Sequence, residues 1–307
     1  MRTELTPAAL APATLALDSR CTHGEGVLWC TRGQHVYWVD ISGKALWQFH
    51  PASARSRHWS LPDRPGCIGL QDDGSLLVVL AKSIHRADID AATDTQLPLQ
   101  WLADVEKDTP HTRSNDGRAD RCGNFVFGTM NEDAGKATDG RYYQYSHAHG
   151  LRPLPLPGVV IPNSVCFSHD GRTLYWCDSV TPVIMACDYD ADAATTSNVR
   201  EFARLANTRA EPDGSCVDAL GRVWNAQWRA GEVSCYDPDG RLQQVLPVPV
   251  KNPTCAAFGG EDLQTLYIIS SRLDHTHAEL AASEQAGSLF SARVGVAGLP
   301  ESRVRTA

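Results

Sequence analysis

The chain has 307 residues, 42% of them hydrophobic and 21% charged, with a formal net charge of −8. That length can bury a large core in one or two domains, and the acidic balance gives no support to a nucleic-acid partner. No apolar run approaches the roughly 18 residues that a membrane-spanning helix needs.

In chain order, the opening MRTELTPAALAPATLALDSR has one early Arg but no sustained apolar core, which argues against a signal peptide. Six similar units follow. The first runs through THGEGVLWC (22–30), HVYWVD (35–40), KALWQFH (44–50) and RSRHWSLP (55–62). The second has RPGCIGL (64–70), SLLVVL (75–80) and KSIHRADID (82–90), and the third TRSNDGRAD (112–120), NFVFGTM (124–130) and RYYQYS (141–146). IPNSVCF, TLYWCD and VIMACDYD build the fourth; EPDGSCVD, RVWNAQW, GEVSCYD and LQQVLPVP the fifth. The sixth has KNPTCAAF, TLYIIS and SLFSARV, with HAELAASEQAG (277–287) able to form a short turn of helix.

These runs are β-branched or aromatic and bounded by Gly, Asp, Asn and Pro, the pattern of short strands. Units of roughly forty to fifty residues, each a four-stranded antiparallel sheet, indicate propeller blades. The expected fold is an all-β, six-bladed β-propeller around a central channel; a β-sandwich fits six similar units poorly. One domain is expected over 1–307, with blades over about 15–295 and TLALDSR completing the last blade to close the ring. The ten cysteines include no Cys-x-x-Cys pair and lie mostly in apolar runs (Cys166, Cys177, Cys216, Cys255). They read as buried free thiols of a cytoplasmic protein, and a monomer is the default.

In a propeller, equivalent residues just before the innermost strand of each blade meet at one end of the axis. From Glu25 to Asp40 is fifteen positions, and so is Asn163 to Asp178. Round the ring the axial position reads Glu25, Gly66 or Cys67, Asn115, Asn163, Asp213, and Asn252 or Pro253. Two carboxylates on one axis repel unless a cation lies between them. Glu25, Asn163 and Asp213 would give a divalent ion oxygen ligands. The absence of His and Cys from this set favours a hard ion over structural zinc.

The pieces GEGVLW, SNDGRADRCGNFVFGTM, IPNSVCFSHDGRTLYWCDS, EPDGSCVDALGRVWNAQW and GSLFSARVGVAGLPE resemble the SMP-30/gluconolactonase family, which includes regucalcin and bacterial sugar lactonases. The resemblance spans about residues 20–300 and implies one divalent metal on the axis: Ca²⁺, Mn²⁺, Mg²⁺, Zn²⁺ or Fe²⁺. It implies Glu25, Asn163 and Asp213 as metal ligands and Arg113 and Asn115 as substrate contacts. A carboxylate after GTM, Glu132 or Asp133, would also reach substrate.

The chemistry fits hydrolysis of a sugar lactone to its aldonic acid. A metal would polarise the lactone carbonyl and stabilise the oxyanion, with Asp213 as general base. Rival readings are a phosphotriesterase or aryl-esterase on the same metal propeller, and a non-catalytic calcium-binding regulatory protein. No Gly-x-Ser-x-Gly context accompanies the histidines. His23 stands two residues before Glu25 and is placed either at the mouth or on the surface. Trp38, Trp176 and Trp224, in second strands, are expected to pack between blades.

Overall fold

The computed structural model describes residues 7–133, 135 and 137–306. Residues 1–6, Ala307, and Ala134 and Lys136 of the MNEDAGKATDGR loop lie outside the described residues. Among those described, six small antiparallel sheets follow one another as the blades of a β-propeller.

Blade 1 has the strand order of its sequence, Gly24–Cys30, His35–Asp40, Ala45–His50 and Arg55–Ser60. The innermost strands of blades 2 to 6 are Pro65–Gln71, Thr112–Ala119, Pro162–Phe167, Glu211–Val217 and Pro253–Gly259. Thr14–Leu17 supplies the fourth strand of blade 6, pairing antiparallel with Leu289–Arg293, so the ring closes as expected. Two short parallel strands extend beyond the expected 15–295. Ala8–Ala9 joins blade 5, and Arg303–Val304 pairs with the end of the inner strand of blade 2.

The apolar residues gather in seams between neighbouring blades. Val39, Trp59, Ile68 and Val78 fill the seam of blades 1 and 2, and Phe125, Phe127, Val79 and Ile84 that of blades 2 and 3. Trp38 and Trp224 are fully buried in such seams and Trp176 nearly so, the packing role expected of them. At about 2 kcal/mol for each large apolar side chain, a sheet with one uncovered face would be unstable alone. Closure of the ring covers both.

Each inner strand is irregular at one level. Register shifts fall between Glu25 and Leu28, Pro65 and Cys67, Ser114 and Gly117, Asn163 and Cys166, Pro212 and Ser215, and Pro253 and Cys255. A bulge bends the strand and re-aims its side chains. Here it turns Glu25, Asn115, Asn163 and Asp213 toward the axis. The expectation placed these residues just ahead of the strands; they lie within them. Gly26 (φ 58°) and Ser164 (φ 62°), directly after Glu25 and Asn163, take the left-handed conformation the bend needs.

The opposite end of the channel is covered by the C-terminal segment. Leu299, Pro300 and Glu301 face Arg118, Cys166 and Cys216 at the ends of inner strands. Glu301 accepts a hydrogen bond from Arg118 Nη1 at 2.9 Å. No helix among the described residues is long and apolar enough to cross a membrane.

Candidate functional site

The bulged starts of the inner strands bring Glu25, Arg113, Asn115, Asn163 and Asp213 to one cavity of about 210 Å³. Blade 2 adds no polar group there. Its Gly66 packs so closely on blade 3 that an added Cβ would lie 2.7 Å from the Ser114 backbone, and Cys67 is fully buried beside it. In blade 6, Asn252 turns to the rim, accepting from the Arg229 N–H and donating to the Leu273 carbonyl.

The fifteen-residue spacing now has a physical reason. Asp40 accepts the Thr22 and His23 N–H groups at 2.8 and 2.9 Å, and Asp178 accepts those of Val160 and Ile161 at 2.9 and 3.0 Å. The Asp ending each second strand thus fixes the chain just ahead of Glu25 or Asn163.

Side-chain bonds then set the site. Asn115 Nδ2 donates to Asn163 Oδ1 at 3.1 Å and to the Pro162 carbonyl at 2.9 Å, and Asn163 Nδ2 donates to Ser179 Oγ at 2.9 Å. Arg113 Nη1 donates to Asn115 Oδ1 at 2.8 Å, and its Nε to Glu132 Oε1 at 3.2 Å. Arg64 grips Glu132 with two bonds of 2.5 and 2.7 Å. The backbone carbonyl of Asp213 is held by Ser164 Oγ at 2.6 Å and by Asn225 Nδ2 at 2.9 Å. Of its carboxylate oxygens, Oδ1 is buried with no hydrogen-bond partner among the described residues.

Burial, then the neighbouring Asp116 carboxylate, pushes the Glu25 carboxyl up to about 8. Burial and Glu25 hold that of Asp213 well above the usual range. Asp116 is itself buried and accepts the Val165 N–H at 2.8 Å. The nearby cation, Arg113, is already matched by Glu132. Among the described residues no three His, Cys, Asp or Glu side chains group as metal ligands, so a metal here must also use the Asn163 amide oxygen. The Glu25 carboxylate, the Asp213 carboxylate with its orphaned Oδ1, and the Asn163 amide oxygen form an all-oxygen donor set that fits a hard divalent cation.

This charge balance sets a pH dependence. The Glu25 carboxyl titrates near 8 when folded against 4.5 ordinarily, so over that range the folded state holds a proton that the unfolded chain has lost. Stability then falls as pH rises. In chelator, melting temperature is expected to drop by several degrees from about pH 5 to pH 8. A flat or rising profile by calorimetry would contradict this balance.

Of the seven residues expected as metal ligands or substrate contacts, Glu25, Arg113, Asn115, Asn163 and Asp213 converge on the cavity. Glu132 stands behind Arg113 as its partner, outside the lining. Asp133 is exposed, its N–H donating to Asn131 Oδ1 at 2.7 Å, and it does not line the cavity. His23 lies in the cavity wall. Met130, Ser179, Trp228 and Leu273 also line it and were not foreseen. Trp228 shares the alternation of Trp224 and so resembles a packing residue; its pairing with Glu211, at the mouth end of the strand, is the distinguishing signal.

The profile described as SMP-30/Gluconolactonase/LRE-like region matches residues 23–272. An L-arabinolactonase of Azospirillum brasilense is 39% identical over 95% of each chain. A 6-deoxy-6-sulfogluconolactonase of Pseudomonas putida is 34% identical over 91% of this chain and 93% of its own. Among solved structures, a calcium-binding protein, regucalcin, of Agrobacterium tumefaciens superposes with a TM-score of 0.90 at 28% identity, covering 98% of this chain and 100% of the other.

Proposed function

Because this chain belongs to the SMP-30/gluconolactonase/LRE-like family, we propose that it hydrolyses a sugar lactone to the aldonic acid with a divalent cation held by Glu25, Asn163 and Asp213. The observation that carries this reading is the unpartnered Asp213 Oδ1 beside Glu25 in the cavity. Relatives named as lactonases of arabinonate and sulfogluconate type support the substrate class. The calcium-binding neighbour and the oxygen donors support the cation.

When bound, the cation would supply a Lewis acid for the lactone carbonyl and lower the pKa of the attacking water. Asp213 accepts the proton as the water oxygen bonds to the carbonyl carbon. The ring C–O bond then breaks, and the proton passes to the departing ring oxygen, leaving a hydroxy acid. Arg113 is held flat by Glu132 and Asn115, which leaves its Nη2 for substrate oxygens. Both Asn115 N–H groups are used within the protein, so its part is to orient Asn163 and Arg113. We further place the protein as a single-domain cytoplasmic monomer, in keeping with ten free cysteines.

Acid release from a panel of five- and six-membered aldonolactones tests the proposal, using chelated protein and protein refilled with single cations. Activity should vanish on chelation and return with one ion. If every lactone stays at its spontaneous rate while the cation still binds, the hydrolase reading fails and a calcium-binding regulatory role replaces it.

A further inference from the structure

Around a six-membered ring, blade 6 lies opposite blade 3. Arg113, Asn115 and Met130 of blade 3 make one wall of the cavity; the facing wall includes Trp228 of blade 5, Leu273 of the loop after Thr265–Ser270 in blade 6, and His23, just ahead of blade 1. Asp274, beside Leu273, also lines the cavity but is paired with Arg229 at 3.0 Å, and His23 is the other polar side chain of this wall. His23 bridges blade 1 to blade 6 by pairing with Ser271.

The imidazole is fixed from several sides. Its backbone N–H is held by Asp40 at 2.9 Å, and its Nδ1 lies 2.9 Å from Ser271 Oγ. Ser271 is fully buried and itself anchored, accepting the Leu273 N–H at 3.0 Å and lying 3.2 Å from the Thr22 carbonyl. Trp228 meets the imidazole ring edge-on, with centroids 5.8 Å apart and planes at 89°. Such bracing leaves the ring little rotamer freedom to lose on binding. With Nδ1 engaged, Nε2 is the ring nitrogen left for a ligand, and it has no hydrogen-bond partner among the described residues.

A wall of this kind suits a polyhydroxylated ring. An indole packs against C–H bonds while one oriented nitrogen reads one hydroxyl. Arg113 and Asn115 reach the same cavity from blade 3. Resting on the lactonase reading, we infer that His23 is a specificity-determining residue: its Nε2 hydrogen-bonds one hydroxyl of the lactone, with Trp228 packed on the adjoining ring surface.

The test compares wild type, His23→Leu and His23→Gln on the preferred aldonolactone and on analogues that each lack one hydroxyl. Loss of one hydrogen bond to bound substrate should raise KM on the order of tenfold in His23→Leu with little change in kcat. His23→Gln should recover part of the loss. For the analogue missing the hydroxyl that His23 reads, wild type and His23→Leu should become equal. A cation-induced rise in melting temperature retained in His23→Leu would confirm that the axial ligands are undisturbed. If KM stays within about twofold of wild type on every substrate, or the loss is the same for every analogue, His23 does not read a hydroxyl. Calorimetric binding of the product aldonate separates the two claims. No turnover by wild type sinks the hydrolase reading, whereas equal aldonate affinity in wild type and His23→Leu sinks this one.

Discussion

Asp213→Ala is expected to lower lactone hydrolysis by at least about a thousandfold, the range in which loss of a general base falls, and to abolish stabilisation by the cation. The fold should survive, because Ser164 and Asn225 hold the backbone carbonyl of Asp213 and not its side chain. A second signature has the opposite sign. Burial and the Glu25 carboxylate make an ionised Asp213 unfavourable in metal-free protein. In chelator at pH 8 the variant should therefore melt no lower than wild type, and higher if that repulsion dominates. Wild type alone should then gain stability on refilling. Substantial residual activity in Asp213→Ala, or a cation-induced rise in melting temperature equal to that of wild type, would remove Asp213 from both roles.

The second large effect lies at the other end of the channel. Arg118 and Glu301 form a pair at 2.9 Å with each side chain only 13% exposed, and Arg118 Nε is buried without a partner. Glu301→Ala strands the guanidinium. Breaking a buried pair from one side costs about 3 kcal/mol, which urea unfolding would read as a lower midpoint at unchanged slope. Replacing both residues together (Arg118→Met with Glu301→Leu) should restore most of the loss. The cost belongs to the unmatched charge, since the contact itself adds little net stability. A single variant indistinguishable from wild type would mean that water solvates Arg118 as well as Glu301 does.

The fold was readable because each blade repeats a period-2 alternation between Asp/Gly turns, and six copies leave few other architectures. Glu25, Asn163 and Asp213 were readable because a repeat turns equivalent positions into spatial neighbours. What the pattern omits is contact across blades. Glu132 looks available to substrate in sequence, yet Arg64, sixty-eight residues earlier, claims it. Trp228 and His23 share a cavity wall although two hundred residues separate them. No local spacing encodes either relation. Asp116 adjoins Asn115 in the same motif, but the bulge directs it to the Val165 N–H and not to the cavity.

Closure of blade 6 by Thr14–Leu17 also bears on how the protein is made. That strand is made before any of the six inner strands, whereas its partner Leu289–Arg293 follows all of them; Thr14 and Ser291, paired across the closure, are 277 positions apart. Blades 1 to 5 can assemble during translation, but the nascent chain must carry Thr14–Leu17 unpaired, and an open gap, until Leu289–Arg293 has been made. Among the described strand pairings this is the longest in sequence, and long-range pairing slows folding. Chaperone dependence should therefore concentrate after the polar residues of blades 1 to 5 are in place and before Leu289–Arg293 has paired with Thr14–Leu17.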